Sequence, residues 1–155
     1  FTGAPTARDA AICAEVMRYV EVEAWRERNY QTLSGGERQR VHFARVLAQV
    51  WEARPRASRY LLLDEPLTYL DIRHQYALLR SLRELAACPD LAIVAVMHDL
   101  NLAARYADHV VIMQEGRAVH AGHPHDVLVP DHVEAAFGLR PEVYRGDGAM
   151  HLLFR

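Results

Sequence analysis

The sequence predicts an α/β fold with a parallel sheet core and a helical segment ahead of it. Two observations carry the sheet. The apolar run Tyr60 to Leu63 stops abruptly at Asp64-Glu65-Pro66, and a second run rich in valine and isoleucine, Leu91 to Met97, stops at His98. Between them Leu78, Leu79, Leu82 and Leu85 recur at helical spacing until Cys88-Pro89 ends the pattern. Strand, helix and strand within about 40 residues make a βαβ unit with a right-handed crossover, so the two strands are parallel. The third observation is Leu33 to Gln39, Leu-Ser-Gly-Gly-Glu-Arg-Gln, which opens a long helix.

Composition sets the outer bounds. A chain of 155 residues with 51% apolar and 25% charged residues is an ordinary globular domain long enough to bury a core. A net charge of -2 supplies no basic stripe for nucleic acid or anionic lipid. No apolar run approaches the roughly 20 residues that cross a bilayer, and no signal-peptide pattern opens the chain. Cys13 and Cys88 lack C-x-x-C spacing and read as reduced thiols. All 18 basic residues are arginine. Without lysine, a P-loop of the form G-x-x-x-x-G-K-[ST] is absent from this sequence.

In chain order, a Gly-Ala-Pro turn leads to Thr6, a helix N-cap with Asp9 in the first turn. Ile12, Val16, Tyr19 and Val20 mark an amphipathic helix to about Val22. Glu23 to Thr32 is a polar connection. Ser34 and Glu37 then fit the capping box S-x-x-E, which many helices use without binding anything. Gly35 and Gly36 are not explained by that box, since each costs about 0.5–1 kcal/mol in a helix relative to alanine. Exposed N–H groups at a helix start, with the dipole behind them, make an anion seat, and phosphate is the natural guest.

Val41, Ala44, Val46, Leu47 and Val50 continue that helix from Glu37 to Trp51. Arg38, Arg40 and Arg45 read as a solvated or interface face rather than a nucleic-acid patch. Glu52 to Ser58, with Pro55, is a loop. Tyr60 to Leu63 suits a buried strand, and Asp64 and Glu65 stand at its carboxyl end, where open α/β sheets bind ligands. In an extended chain adjacent side chains face opposite ways, and Pro66 is expected to keep Glu65 extended. Asp71 suits the N-cap of the helix that follows.

Beyond His98, Asn101 to Tyr106 reads as a short helix, and Val110 to Met113 with Arg117 to Ala121 as a hairpin turning at Glu115-Gly116. The His120, His123 and His125 spacing, H-x-x-H-x-H, matches no standard metal site, and polar hairpin ends account for it. A helix from Asp131 to Phe137 closes at Gly138, and a hairpin turns around Gly146-Asp147-Gly148. No chemistry is assigned to this tail.

These motifs together resemble those of ABC ATPases. Leu33 to Gln39 is similar to the family signature, Leu61-Leu62-Leu63-Asp64-Glu65 to Walker B, Leu70-Asp71 to the end of the D-loop and His98 to the H-loop histidine. The resemblance covers nearly the whole chain. It implies part of a P-loop NTPase domain with a helical signature subdomain at residues 1–55, a Walker B, D-loop and H-loop core at 56–122 and a tail at 123–155. One departure is Leu67, where the family usually has a hydroxyl residue after the proline.

By that likeness Ser34, Gly35, Gly36, Gln39 and Asp71 serve nucleotide binding, Asp64 holds Mg²⁺ mainly through water, Glu65 orients or deprotonates the attacking water, and His98 contacts the terminal phosphate of ATP. Two ATP-binding subunits pair head to tail, each lending its signature to the other's ATP. Walker A, the adenine-stacking aromatic and the Q-loop glutamine lie upstream in the family, so they are expected before Phe1, with the chain alone inactive. Gly35 to Glu52, the long link before Tyr60, Asp71 to Leu85 and His98 to Arg117 look most like the ATP-binding subunit of bacterial haem (hemin) importers in the iron-complex importer group. That likeness implies membrane permease subunits as partners, a periplasmic binding protein as an indirect one, no nucleic acid, and a peripheral place on the cytoplasmic face of the bacterial inner membrane. Two other readings use the same motifs: a non-catalytic module lending its signature in trans, and an ABC protein of DNA repair or translation.

Overall fold

The computed structural model describes residues 4–52, 57–146 and 149–155. Phe1, Gly3 in the opening turn, Pro55 in the loop after the long helix, and Asp147-Gly148 in the last turn lie outside the described residues. The chain forms two compact units, Phe1–Val96 and Met97–Arg155.

In the first unit α1 spans Ala7–Tyr19 and α2 spans Gly35–Ala48. Both begin with capping boxes: Thr6 with Asp9, and Ser34 with Glu37. The first helix stops short of Val22, because Glu21 turns the chain at φ +55°. The polar connection holds two short 3-10 turns, Glu23–Trp25 and Tyr30–Thr32. The two helices pack together and bury Val16, Phe43, Ala44 and Leu47, while Trp51 donates from its indole N–H to Glu15 at 2.9 Å.

Strands β1, Arg59–Asp64, and β2, Leu91–Val96, pair in parallel from Arg59 opposite Leu91 to Asp64 opposite Val96. Arg59 anchors them with two bonds to Asp90, at 2.9 and 2.8 Å, and one to the Val50 carbonyl at 2.7 Å. Helix α3, Ile72–Ala86, connects the strands and buries Leu79 and Leu82. The expectation of a fully buried strand holds for one face only. Leu61 is 2% exposed and Leu62 72%, and Tyr60, Val94 and Val96 are likewise open, because successive side chains alternate and only one face of this two-stranded sheet is covered.

The second unit starts with α4, Leu100–Tyr106, capped by Asp99. Strands β3, Val110–Gln114, and β4, Arg117–Gly122, form the antiparallel hairpin, turning through Glu115 at φ +49° and Gly116 at φ +74°. Helices α5, Pro124–Val127, and α6, Pro130–Phe137, follow, the latter closed by Gly138 in the left-handed conformation. Strands β5, Glu142–Gly146, and β6, Ala149–Leu153, pair antiparallel. The tail is part of this core: Met150 and Leu152 are buried with Ile112, Val127, Leu128 and Val133. Asn101 fastens it, donating to the Leu152 carbonyl at 3.0 Å and accepting from its N–H at 2.7 Å.

Candidate nucleotide-binding site

The helix α2 start has the geometry of an anion seat. Ser34 Oγ accepts from the Glu37 N–H at 3.2 Å, and the Glu37 carboxylate accepts from the Ser34 N–H at 2.7 Å. The bond from the Ser34 N–H, then that with the Ser34 hydroxyl and the nearby Arg28, hold the Glu37 carboxyl below the ordinary carboxylate range. Ser34 and Gly35 are exposed, and Gly36 is half-buried.

The glycines also answer a packing demand. A Cβ on Gly36 would stand 3.3 Å from the Tyr69 carbonyl oxygen, while one on Gly35 would meet Tyr69 Cβ at an ordinary 3.9 Å. Close backbone approach at Gly36 is therefore between the start of helix α2 and the loop that follows β1. Gln39 reinforces it by donating to the Pro66 carbonyl at 3.3 Å.

Asp64 ends β1 with its carboxylate exposed, and Glu65 follows, also exposed. The expectation that Pro66 keeps Glu65 extended is corrected: Glu65 adopts φ +44°. Its carbonyl accepts from the Thr68 N–H at 3.2 Å and its carboxylate from the Thr68 hydroxyl at 3.3 Å. This turn reverses the chain directly after the strand and overrides the preference of a residue before proline. Tyr69 in the same loop is also left-handed, at φ +66°, and 81% exposed.

Asp71 caps α3, accepting from the His74 backbone N–H at 2.9 Å and bonding its ring Nδ1 at 2.8 Å. The backbone bond, followed by the ring bond, lowers the Asp71 carboxyl below its ordinary range. Ser34, Gly36 and Asp71 line one cavity of about 260 Å³ with Glu37, Arg40, Tyr69, Leu70 and His74. Arg40 is held over the Trp25 ring at 4.4 Å. The structure thus brings the start of α2 and the loop Pro66 to Asp71 together, with Asp64 and Glu65 at the end of the strand that leads into that loop. His98 belongs to the second unit, exposed, two residues ahead of α4.

Sequence reasoning missed His74 and Gln75. Gln75 Nε2 donates to the carbonyls of Leu70 at 3.1 Å and Leu67 at 3.4 Å. The only available signal was position: His74 is the third residue of a helix capped by Asp71, where a ring donor reaches back to the cap. Among the other histidines, His120 stacks on His132 with ring centroids 3.5 Å apart, and His123 caps α5. Among the described residues no group of three or more His, Cys, Asp or Glu could hold a metal ion.

No protein-family model matches the chain. Curated relatives do. The chain is 49% identical over 138 residues to the hemin import ATP-binding protein HmuV of Gloeobacter violaceus, covering 89% of this chain and 50% of that protein. It is 43% identical over 151 residues to HmuV of Burkholderia ambifaria, covering 95% and 55%. With HmuV of Pseudomonas aeruginosa the figures are 44% over 138 residues, 89% and 53%. The chain spans about half the length of these relatives. Among solved structures, an inward-facing ABC transporter superposes with TM-score 0.79 at 22% identity, covering 99% of this chain and 59% of that one. The ADP conformation of an ATP-binding cassette of an ABC transporter gives TM-score 0.70 at 20% identity, covering 87% and 52%. With its parallel βαβ unit, the chain has the fold of the ATP-binding cassettes of ABC transporters and is similar over most of its own length to the hemin import ATP-binding proteins.

Proposed function

We propose that this chain contributes the signature, Walker B, D-loop and H-loop parts of an ATP-binding and hydrolysing subunit that powers a membrane importer for haem or another iron complex. The observation that carries the reading is the shared cavity: the outward-facing Ser34 and Gly36 and the D-loop Asp71 line one concave surface, as a site completed by a second subunit's nucleotide requires.

In this reading the Ser34 hydroxyl and the first N–H groups of α2 receive the terminal phosphate of ATP held by the partner subunit, and Gly35 leaves room for it. Gln39 and Asp71 border the same nucleotide. Glu65 orients or deprotonates the water that attacks this subunit's own ATP, and His98 steadies that phosphate and water. Asp64 is an exposed oxygen donor at a strand's carboxyl end, which suits Mg²⁺, a cation that prefers oxygen ligands and keeps several waters. Bound there, Mg²⁺ would neutralise phosphate charge.

The full subunit would pair head to tail with a second copy and dock on permease subunits at the cytoplasmic face of the inner membrane, with a periplasmic binding protein delivering cargo. Support for a peripheral place is that no helix among the described residues is long and apolar enough to cross a membrane. Mg-ATP turnover tests the reading. The 155-residue chain alone should show none, lacking a P-loop lysine, whereas the full-length subunit with its upstream P-loop half should hydrolyse ATP and co-purify with a permease. Turnover by the isolated chain, or a full-length protein without ATPase activity, would overturn it.

A further inference from the structure

Asp71 sits at the rim of the cavity it shares with Ser34 and Gly36, and its placement depends on α3. Its Oδ1 receives two bonds from one residue: the His74 backbone N–H at 2.9 Å, and ring Nδ1 at 2.8 Å. The next residue, Gln75, holds the loop ahead of Asp71 by the Leu67 and Leu70 carbonyls. The loop so fixed contains left-handed Glu65 and Tyr69, at φ +44° and +66°, conformations that side chains disfavour and that persist only where the surroundings over-determine them. The backbone N–H of His74 alone completes an ordinary N-cap. The ring bond is additional, and it sets the carboxylate's direction rather than the helix start. His74 itself is only partly buried and lines the same cavity as Ser34, Gly36 and Arg40.

We propose that His74 is a positioning residue of the nucleotide site: through Nδ1–H it fixes the Asp71 carboxylate in the orientation that the D-loop presents, beside the signature, to the nucleotide. The inference rests on the ATPase reading above. A carboxylate only accepts, so Nδ1 must carry the proton and, in the neutral ring, Nε2 is the bare nitrogen. This predicts both the tautomer and the substitutions that preserve function. In His74→Asn the side-chain amide nitrogen reaches the place of Nδ1; in His74→Gln it reaches that of Nε2 and misses Asp71.

The test uses the full-length subunit with its permease. His74→Ala should lower kcat about 10- to 100-fold, the worth of one charge-assisted hydrogen bond in the transition state, with KM for ATP unchanged. His74→Asn should recover most of that loss and His74→Gln should not. Nitrogen-15 spectra of histidine-labelled protein should show the Nδ1–H tautomer at His74, lost in Asp71→Ala. A wild-type kcat in His74→Ala, an effect on KM alone, equal activity of the Asn and Gln variants, or an Nε2–H tautomer overturns the inference while wild-type ATPase activity leaves the parent reading standing. Absence of ATPase activity in the wild type overturns both.

Discussion

The Gln39 side-chain amide donates to the Pro66 carbonyl at 3.3 Å, tying the second turn of helix α2 to the residue directly after Glu65. The bond spans 27 residues of sequence and is partly buried. It makes the signature and the D-loop one mechanical piece. Gln39→Leu should therefore lower unfolding stability by about 0.5–1.5 kcal/mol, the usual worth of such a bond, more where the Pro66 carbonyl is left without a partner. Urea unfolding of the two proteins measures it.

The two signature glycines should respond differently to alanine. At Gly35 a methyl meets only an ordinary contact, so Gly35→Ala should gain up to about 0.5–1 kcal/mol in stability from helix propensity. At Gly36 the added Cβ presses the Tyr69 carbonyl at 3.3 Å, which offsets that gain. Both should reduce ATP turnover in the full-length dimer, because a methyl stands where phosphate approaches. Melting curves beside turnover separate packing from chemistry.

The acidic and histidine groups should separate binding from hydrolysis. Glu65→Gln and His98→Ala in the full-length subunit should cut turnover about 100-fold or more, the range for removing a general base or its support, while ATP binding is retained. Equal loss of binding and hydrolysis would count against these roles. Equilibrium binding of a fluorescent ATP analogue, beside phosphate release, reports both quantities.

Acid should loosen the signature cap. The folded-state pKa of Glu37 is depressed, chiefly by the Ser34 N–H, so the stability it adds is present above its unfolded value and is lost as pH falls through the folded one. Glu37→Gln keeps an acceptor for Ser34 but cannot ionise. The wild-type advantage over Glu37→Gln should be constant near neutrality and vanish as pH falls below about 4, the ordinary carboxylate range. Thermal melts across that window test the sign.

Much of this protein was determined by short-range sequence pattern. The capping boxes at Thr6 and Ser34, the N-cap at Asp71, the turn at Glu115-Gly116 and the left-handed Gly138 each join residues no more than a few positions apart. Spacing alone encodes such bonds, and the apolar runs flanking α3 encode the parallel pair in the same way. Tertiary structure decided what no spacing carries. It joined Gln39 to Pro66, and Asn101 to Leu152 across 51 residues, so the tail became core. It also left Tyr60 and Leu62 open on a sheet whose other face α3 covers. Long-range contacts depend on which surfaces meet after folding. The sequence therefore named the carboxylates, serine and glycines of the proposed site, and only folding revealed that Ser34, Gly36 and Asp71 line one cavity together with His74.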